Sequence, residues 1–195
     1  GGHPSDVVFL TADAFGVLPP VAKLTNEQAM YHFLSGYTAR LAGTERGIID
    51  PVSTFSRFFG APFMPRNPDV YASFLGERLK KYQSQVFLIN TGWSGGPFGV
   101  GSRMDINVTR KIVQAVVETQ LHDLEFEEDK LFHILVPKSF PGIDSQILHP
   151  RETWKDKDAF DKRARQLAKE FSSQFDKSYG KKNLSPDIIK NCPGK

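Results

Sequence analysis

The sequence feature that most constrains the fold is a strand, a glycine-rich loop and a helix in direct succession. The strand is the apolar run Val86–Asn90, and the loop from Thr91 to Arg103 contains five glycines. A helical pattern begins near Asp105. Four apolar residues are predicted to share its buried face: Ile112, Val113, Val116 and Val117. This layout brings backbone N–H groups close to a bound nucleotide, although a glycine loop can also be a plain tight connection.

Catalytic motifs are missing from the sequence. The glycine loop is not a Walker A motif, because no Lys-Ser or Lys-Thr pair follows its glycines. The chain also lacks HExxH, CxxC, GxSxG and any acidic cluster with metal-ligand spacing. From its residues alone, the chain is interpreted as a nucleotide-binding α/β domain without its own catalytic machinery.

A second short strand is predicted at Val7–Leu10 and is followed directly by Thr11-Ala12-Asp13. Polar residues at the end of a buried strand are typical of ligand contacts in open α/β sheets. Asp13 could equally cap a turn. A further strand is predicted at Leu131–Val136, with His133 inside it as a tolerated or hydrogen-bonded residue.

Three helices are predicted besides the central one. The first begins with a capping box, Thr25 to Gln28, and is expected to end near Gly43. His32 lies off its apolar stripe and is predicted to be a surface residue. The second begins at Asn67-Pro68. Its predicted buried face comprises Tyr71, Phe74, Leu75, Leu79 and Tyr82. The last runs from about Asp158 to Tyr179.

Two segments are candidate parts of a site. In Ala42-Gly43-Thr44-Glu45-Arg46-Gly47, two glycines flank three polar residues, which suits a hinged lid but also an ordinary surface turn. Phe63 is predicted either to line a pocket or to pack in the core. Neither alternative is decided by the residues themselves.

Composition narrows the class of partner. The net charge of +3 is too small to indicate nucleic acid, and the basic residues are interspersed with acidic ones. No apolar run approaches the length of about 18 residues that predicts a membrane span. The single cysteine, Cys192, excludes an internal disulfide framework and indicates a reducing compartment, so a cytoplasmic location is expected. The oligomeric state is not indicated.

Four blocks of sequence together resemble one family, the ATP-dependent phosphoenolpyruvate carboxykinases, rather than the GTP-using class. The blocks are Phe9–Pro20, Gln28–Thr38, Ala42–Gly47 and Asn90–Trp93, the last continued by Gly95-Gly96-Pro97 and Arg103. They occur in the family's order, and the resemblance covers roughly residues 6–150 well and the last helix more loosely.

The resemblance implies the function of the whole enzyme and the place of this chain in it. The family converts oxaloacetate and ATP to phosphoenolpyruvate, CO₂ and ADP with Mg²⁺ and Mn²⁺, usually in gluconeogenesis. The family's phosphate-binding loop, catalytic lysines, metal ligands and substrate arginines would lie upstream of Gly1, in an N-terminal part of the same enzyme. No catalytic or metal-binding residue is therefore expected in this segment, which alone should be inactive.

The resemblance also assigns binding roles by position. The nucleotide would be held by Arg103, by the backbone of Met104, which replaces a branched apolar residue common in the family, and by Thr109. The segment Ala42–Gly47 would be the mobile lid, and Phe63 would lie beside the substrate. The expected fold is mixed α/β, the C-terminal lobe of the carboxykinase fold, with a mixed sheet and packed helices.

The expected domain organisation is a lobe over residues 1–180 that binds the nucleotide base and carries the lid, followed by a loosely ordered tail over 181–195. The alternative hypothesis is a non-catalytic adenine-nucleotide-binding or interaction domain. The native gene would separate the two hypotheses, because only the enzyme requires upstream residues with a phosphate-binding loop and metal ligands.

Overall fold

The computed structural model describes residues 2–40, 50–60, 63–182 and 184–195. The predicted lid, Ala42–Gly47, lies outside the described residues. The strands are β1 (Asp6–Thr11), β2 (Val21–Leu24), β3 (Tyr37–Arg40), β4 (Val52–Phe55), β5 (Gln85–Asn90), β6 (Trp93–Ser94), β7 (Ser102–Arg103), β8 (Phe126–Asp129) and β9 (Ile134–Pro137). The helices are α1 (Asn26–Ser35), α2 (Pro68–Tyr82), α3 (Ile106–Val117), α4 (Ser145–Leu148), α5 (Pro150–Thr153), α6 (Lys157–Tyr179) and α7 (Pro186–Ile189).

The central sheet has five strands in the order β1-β5-β2-β9-β8. β1 and β5 run parallel, whereas β2 is antiparallel to both β5 and β9, and β8 is antiparallel to β9. The pairs β3–β4 and β6–β7 form two small separate ladders. The predicted mixed α/β fold, with a mixed sheet and packed helices, is confirmed.

Strand β5 shows how the sheet separates two hydrophobic cores. Its side chains alternate, so Val86 and Leu88 face one side of the sheet and Phe87 and Ile89 face the other. The first side packs against α1, α2, α6 and α7, and the second packs against α3. Both faces are therefore covered, which explains why the strand appears in the sequence as a continuous apolar run.

Helix α1 begins as predicted but ends earlier. The Gln28 N–H donates to the Thr25 hydroxyl at 3.2 Å, and the Thr25 N–H donates to the Gln28 side chain at 2.8 Å, which completes the capping box. The helix ends at Ser35, not near Gly43, because Gly36 takes a φ of +54°. A Cβ at Gly36 would lie only 1.7 Å from the Ser56 carbonyl oxygen, so the chain turns there into β3.

The prediction that His32 lies on the surface is wrong. Its ring is buried against Tyr31 and Phe171, and its Nε2 atom has no hydrogen-bond partner. Burial lowers the pKa of His32 from 6.5 to about 4, because the charged form would lose its hydration. The helical spacing misled the prediction because α6 also covers the flank of α1 that carries His32.

Two predicted helix faces are also partly wrong. In α2 the buried residues are Ala72 and Leu79, whereas Phe74 and Tyr82 are exposed. In α3 the buried residues are Ile112, Ala115 and Val116, whereas Val113 and Val117 are exposed. Helix α6 agrees with its prediction, with Ala164, Leu167, Ala168, Phe171, Phe175 and Tyr179 buried.

The segment around His133 also differs from its prediction. The strand begins at Ile134 rather than at Leu131, and His133 lies in the preceding turn with a φ of +52°. Its N–H donates to the Asp129 carbonyl at 2.8 Å. The apolar run predicted Leu131, Phe132 and His133 as strand, but these residues form the tight connection between β8 and β9.

Three described residues of the C-terminal tail pack in the core that contains Val86 and Leu88. Leu184, Ile188 and Cys192 are buried there, and the Cys192 thiol lies 3.4 Å from the Tyr31 hydroxyl. Burial raises the pKa of this thiol.

Within the part of the chain that the structure describes, no helix combines the length and apolarity that crossing a bilayer requires.

Candidate functional site

The site lies where the two parallel strands end. β1 and β5 run side by side in register, with Thr11 opposite Asn90 at their carboxyl ends. Residues 12–20 follow β1 and include Asp13, and residues 91–105 follow β5 and include the glycine-rich loop from Thr91 to Arg103. Crevices beyond the carboxyl ends of parallel strands are the usual ligand sites in α/β proteins.

The carboxylate of Asp13 organises the first loop. It accepts hydrogen bonds from the backbone N–H groups of Phe15 (3.1 Å), Val17 (2.6 Å) and Leu18 (2.9 Å). It also accepts one from the Tyr37 hydroxyl at 2.8 Å. Asp13 is completely buried, so its acceptor positions serve the turn. Of the two alternatives that the sequence left open, the turn cap is therefore confirmed.

Asn90 joins the two loops. Its side-chain oxygen accepts from the N–H groups of Asp13 and Gly92, both at 2.9 Å, and its amide nitrogen donates to the Leu18 carbonyl at 2.9 Å. The sequence placed Asn90 at the end of a strand and in one of the four resemblance blocks, but gave it no role. The available signal was a polar residue closing an apolar run, at the position that pairs with Thr11. Thr11 is also buried, and its hydroxyl donates to the Tyr37 carbonyl at 2.8 Å.

The second position of the loop after β5, Gly92, has to be a glycine. A Cβ there would lie 2.1 Å from the Asp13 carbonyl oxygen and 2.3 Å from the Asp13 nitrogen. The two loop backbones therefore touch, and the Trp93 N–H donates to the Asp13 carbonyl at 2.8 Å. This glycine serves contact between the loops rather than approach of a ligand.

We refer to the five residues Thr11, Asp13, Tyr37, Asn90 and Gly92 as the buried polar centre. Burial and the neighbouring Asp13 carboxylate raise the pKa of Tyr37 well above its usual value. Its hydroxyl thus stays protonated and donates to Asp13. The centre holds both loops in one arrangement, and its members are all buried.

Arg103 lies at the exposed rim of this arrangement. β6 and β7 close the glycine loop with Trp93 opposite Arg103, and the Arg103 guanidinium carbon lies 5.1 Å from the centre of a Trp93 ring. Its Nε–H donates to the Thr91 carbonyl at 2.6 Å. The side chain is exposed yet held on two sides, so an anionic or aromatic ligand would meet a guanidinium whose orientation is already set.

Met104 and Thr109 occupy the next positions. The Met104 side chain is buried, and its N–H donates to the Gly92 carbonyl at 2.8 Å. A backbone contact with a ligand would therefore use the Met104 carbonyl oxygen. Asp105 caps α3 by accepting from the Asn107 N–H at 2.8 Å, and half-buried Thr109 lies in the first turns of that helix.

Residues of α5 and α6, and Trp154 between them, contact the loops after β1 and β5. The Trp154 indole N–H donates to the Gly16 carbonyl at 2.8 Å, and the Gly95 N–H donates to the Thr153 hydroxyl at 3.0 Å. The Arg163 guanidinium lies 3.5 Å from the centre of the Phe15 ring. The helical segment after residue 150 thus contributes directly to the shape of the site, which sequence reasoning missed.

Phe63 is not among the residues that form this arrangement. Phe63 is 86% exposed, so the core-packing alternative is wrong, and a place in a pocket stays a prediction. Across residues 2–40, 50–60, 63–182 and 184–195, no three His, Cys, Asp or Glu side chains are grouped as metal ligands. No reaction step through a metal is therefore assigned to the described residues.

Comparison with known proteins supplies the family. A family model described as phosphoenolpyruvate carboxykinase matches residues 1–146. The chain is 59% identical over 177 residues to phosphoenolpyruvate carboxykinase (ATP) of Caldanaerobacter subterraneus subsp. tengcongensis, and 60% identical over 177 residues to phosphoenolpyruvate carboxykinase (ATP) 2 of Moorella thermoacetica. Each match covers 91% of this chain and 34% of the relative. A match to the Geobacillus thermodenitrificans protein of the same name is 55% identical over 176 residues, 90% of this chain and 33% of the relative. The chain thus spans about a third of the length of these relatives.

Proposed function

Because the chain belongs to the ATP-dependent phosphoenolpyruvate carboxykinase family, we propose that it supplies the adenine-nucleotide side of that enzyme's active site. The whole enzyme, of which the chain would be the C-terminal part, would convert oxaloacetate and ATP to phosphoenolpyruvate, CO₂ and ADP. An N-terminal part of the same polypeptide would contribute the phosphate-binding loop and the ligands of Mg²⁺ and Mn²⁺. The isolated segment would be inactive.

The observation that carries the proposal is the fixed orientation of Arg103. An exposed arginine normally samples many rotamers, and ordering one costs up to about 2 kcal/mol. Here the contact with Trp93 and the hydrogen bond to the Thr91 carbonyl have already ordered it. Because Nε is used, the two terminal nitrogens and the guanidinium plane are the parts that would contact a phosphate or stack on adenine.

Met104 and Thr109 extend the proposed contact along the start of α3. The Met104 carbonyl oxygen would accept from the adenine amino group, and the Thr109 hydroxyl would bond to the nucleotide. The substitution of Met104 for a branched residue does not affect this role, because its side chain points into the protein and the contact uses the backbone. Both residues are anchored, Met104 by Gly92 and Thr109 by the Asp105 carbonyl at 3.3 Å.

The buried polar centre supports the same role indirectly. It holds the loops after β1 and β5 against each other, so that Thr91, Trp93 and Arg103 keep one geometry. A preformed site binds more tightly because less conformational entropy is lost when the ligand arrives.

The proposed lid, Ala42–Gly47, rests on the resemblance to the family. Decarboxylation of oxaloacetate leaves the enolate of pyruvate, which water would protonate before phosphoryl transfer. A lid that excludes water would prevent this loss. Phe63, as an exposed aromatic residue, would pack beside the substrate when the rest of the enzyme is present. The gluconeogenic direction and the cytoplasmic location stay predictions from the sequence.

The proposal is tested by replacing Arg103 with Ala in the complete enzyme and measuring ATP and ADP binding by calorimetry. Loss of a cation–π or charge-assisted contact should weaken nucleotide binding about tenfold or more. Oxaloacetate binding should be largely kept. Arg165→Ala, at an exposed position on α6, is the matched control and should leave both affinities unchanged. Unchanged nucleotide affinity in Arg103→Ala would exclude the assigned role.

A further inference from the structure

The edge strand of the central sheet has an open side. In the part of the chain that the structure describes, β1 pairs with β5 and with no other strand. The Ser5 and Thr11 carbonyls accept from the Gln85 and Thr91 N–H groups. In a parallel ladder, alternate residues bond to the same neighbour. The odd-numbered residues therefore face β5, and the backbone groups of Val8 and Leu10 face outward.

The side chains of Val8 and Leu10 are uncovered as well. They stand opposite Phe87 and Ile89, on the face of the sheet that carries α3. Helix α3 covers β5 and β2, because its residues Ile112, Ala115 and Val116 pack with Phe87, Ile89 and Val21. It does not cover β1, so Val8 is 37% exposed and Leu10 is 58% exposed.

Helix α3 itself carries an exposed apolar flank. Ile106, Val113 and Val117 are spaced by seven and four residues, which places them on one side of a helix. They are 58%, 38% and 77% exposed. Thr109 lies on the same flank, three residues after Ile106 and four before Val113.

The opposite flank of α3 shows which way the apolar one faces. It carries Lys111, Gln114 and Glu118, and the Lys111 ammonium donates to the Gly142 carbonyl at 2.8 Å. Gly142 follows β9, which lies beyond β2 on the far side of the sheet from β1. The polar flank therefore faces β9, and the apolar flank faces the space above β1.

We define the β1–α3 face as Val8, Leu10, Ile106, Val113 and Val117. Among the described residues, it combines a strand edge that pairs with no further strand and exposed apolar side chains from two elements. Proteins normally avoid leaving such an edge open, because it pairs with other chains, and a contiguous apolar patch usually marks an interface. The edge of β1 suits an added β-strand, and the exposed flank of α3 suits an added apolar helix.

We propose that the β1–α3 face is the surface on which the rest of the parent polypeptide docks, adding a strand to the edge of β1 and a helix beside α3. The curated relatives are about three times as long as this chain. A parent polypeptide of that length would itself contain a segment large enough to cover the face. The inference rests on family membership and does not depend on nucleotide binding at Arg103. Since Thr109 shares the flank, the docked part would border the proposed nucleotide site.

The experiment is peptide-resolved thiol labelling of the complete enzyme. Leu10→Cys and Val117→Cys place a thiol on the β1–α3 face, and Gln114→Cys places one on the polar flank of the same helix. If the parent polypeptide covers the face, the first two thiols should react about tenfold more slowly than the third, because they react only when the interface opens. The protection should be independent of protein concentration and present without nucleotide. All three substitutions are at exposed positions in this chain, so folding should be kept.

Three results would overturn the proposal. Equal reactivity at all three positions would show that the face is open in the complete enzyme. Protection that disappears on dilution would assign the face to a second copy, and protection that requires ATP would assign it to the nucleotide. Failure of the Arg103 role leaves this readout unaffected, so the two proposals fail separately.

Hydrogen exchange of the unmodified enzyme tests the strand directly. The Val8 and Leu10 amides should exchange as slowly as the Val7 and Phe9 amides, which bond to β5, if a further strand pairs with β1. Rapid exchange at Val8 and Leu10 alone would exclude an added strand.

Discussion

The buried polar centre and the rim around Arg103 lie on the same two loops, but they use polar residues in opposite ways. In the centre, Asp13 and Asn90 are buried, and their side chains are bonded to the protein itself. At the rim, the Arg103 side chain is exposed, and two contacts orient it. The difference shows how a conspicuous motif divides into residues that hold the loops together and residues that stay exposed to solvent.

The distinction has a thermodynamic basis. A buried acceptor that loses its donors, or a donor that loses its acceptor, costs about 1–3 kcal/mol each. An exposed group loses little, because water replaces the partner. Substitutions in the centre should therefore lower stability, whereas those at the rim should affect binding and leave stability nearly unchanged.

The largest effect is expected for Asp13→Ala. It leaves three backbone N–H groups and the Tyr37 hydroxyl without their acceptor in a buried site, so unfolding should become easier by about 4 kcal/mol or more. Denaturant unfolding of the chain measures this cost. Asp123→Ala, at an exposed position, is the control and should change stability by less than about 0.5 kcal/mol. A cost for Asp13→Ala close to that of the control would contradict the account of the centre.

A second prediction concerns His32, which is buried like the centre but has an unpaired Nε2 atom. Its pKa is lowered to about 4, whereas the unfolded chain retains about 6.5, so only the unfolded state takes up a proton between these values. Stability contributed by the neutral ring is thus complete above pH 6.5 and falls as the pH drops toward 4, by roughly 3 kcal/mol in total.

The measurement is the free energy of unfolding against pH, with His32→Leu as the comparison. The variant should lose this part of the pH dependence while other titrations remain. If both curves have the same slope between pH 6.5 and 4, the imidazole is protonated in the folded chain and the assignment is wrong.

The smallest effect on stability is expected at the exposed Phe63. Phe63→Ala should change the free energy of unfolding by less than about 0.5 kcal/mol, because its ring is 86% exposed. Phe58→Ala, five residues earlier and buried, should cost about 3–5 kcal/mol. In the complete enzyme, Phe63→Ala should raise the KM for oxaloacetate if the ring packs beside the substrate. An unchanged KM would remove Phe63 from the site.

The local elements were largely predictable from the sequence. The capping box at Thr25, the start of α2 at Asn67-Pro68 and the span of α6 depend on interactions within a few residues, and the structure agrees with them. The family was also predictable, because four motif blocks occur in order. The end of α1 was not, since it depends on the close approach of Gly36 to Ser56, twenty residues away.

The roles of individual residues in the site were only partly predictable from the sequence. The resemblance assigned nucleotide-binding roles to Arg103, Met104 and Thr109, and these roles stay predictions. The sequence left Asp13 undecided and gave Asn90 no role. The helical period assigned Val113 and Val117 to the core, although α3 meets the sheet along Ile112, Ala115 and Val116. A period of apolar residues identifies an apolar face, and it does not say which neighbour covers that face.

The amino-acid sequence by itself determined the mixed α/β class, the strand–glycine loop–helix order and the family, because these follow from local propensity and from motif spacing. Only the tertiary structure decided which polar residues are buried and which apolar ones are left open. Burial depends on which segments meet, such as Asp13 with Asn90 or α3 with β5 but not β1, and these contacts join residues that are far apart in the chain.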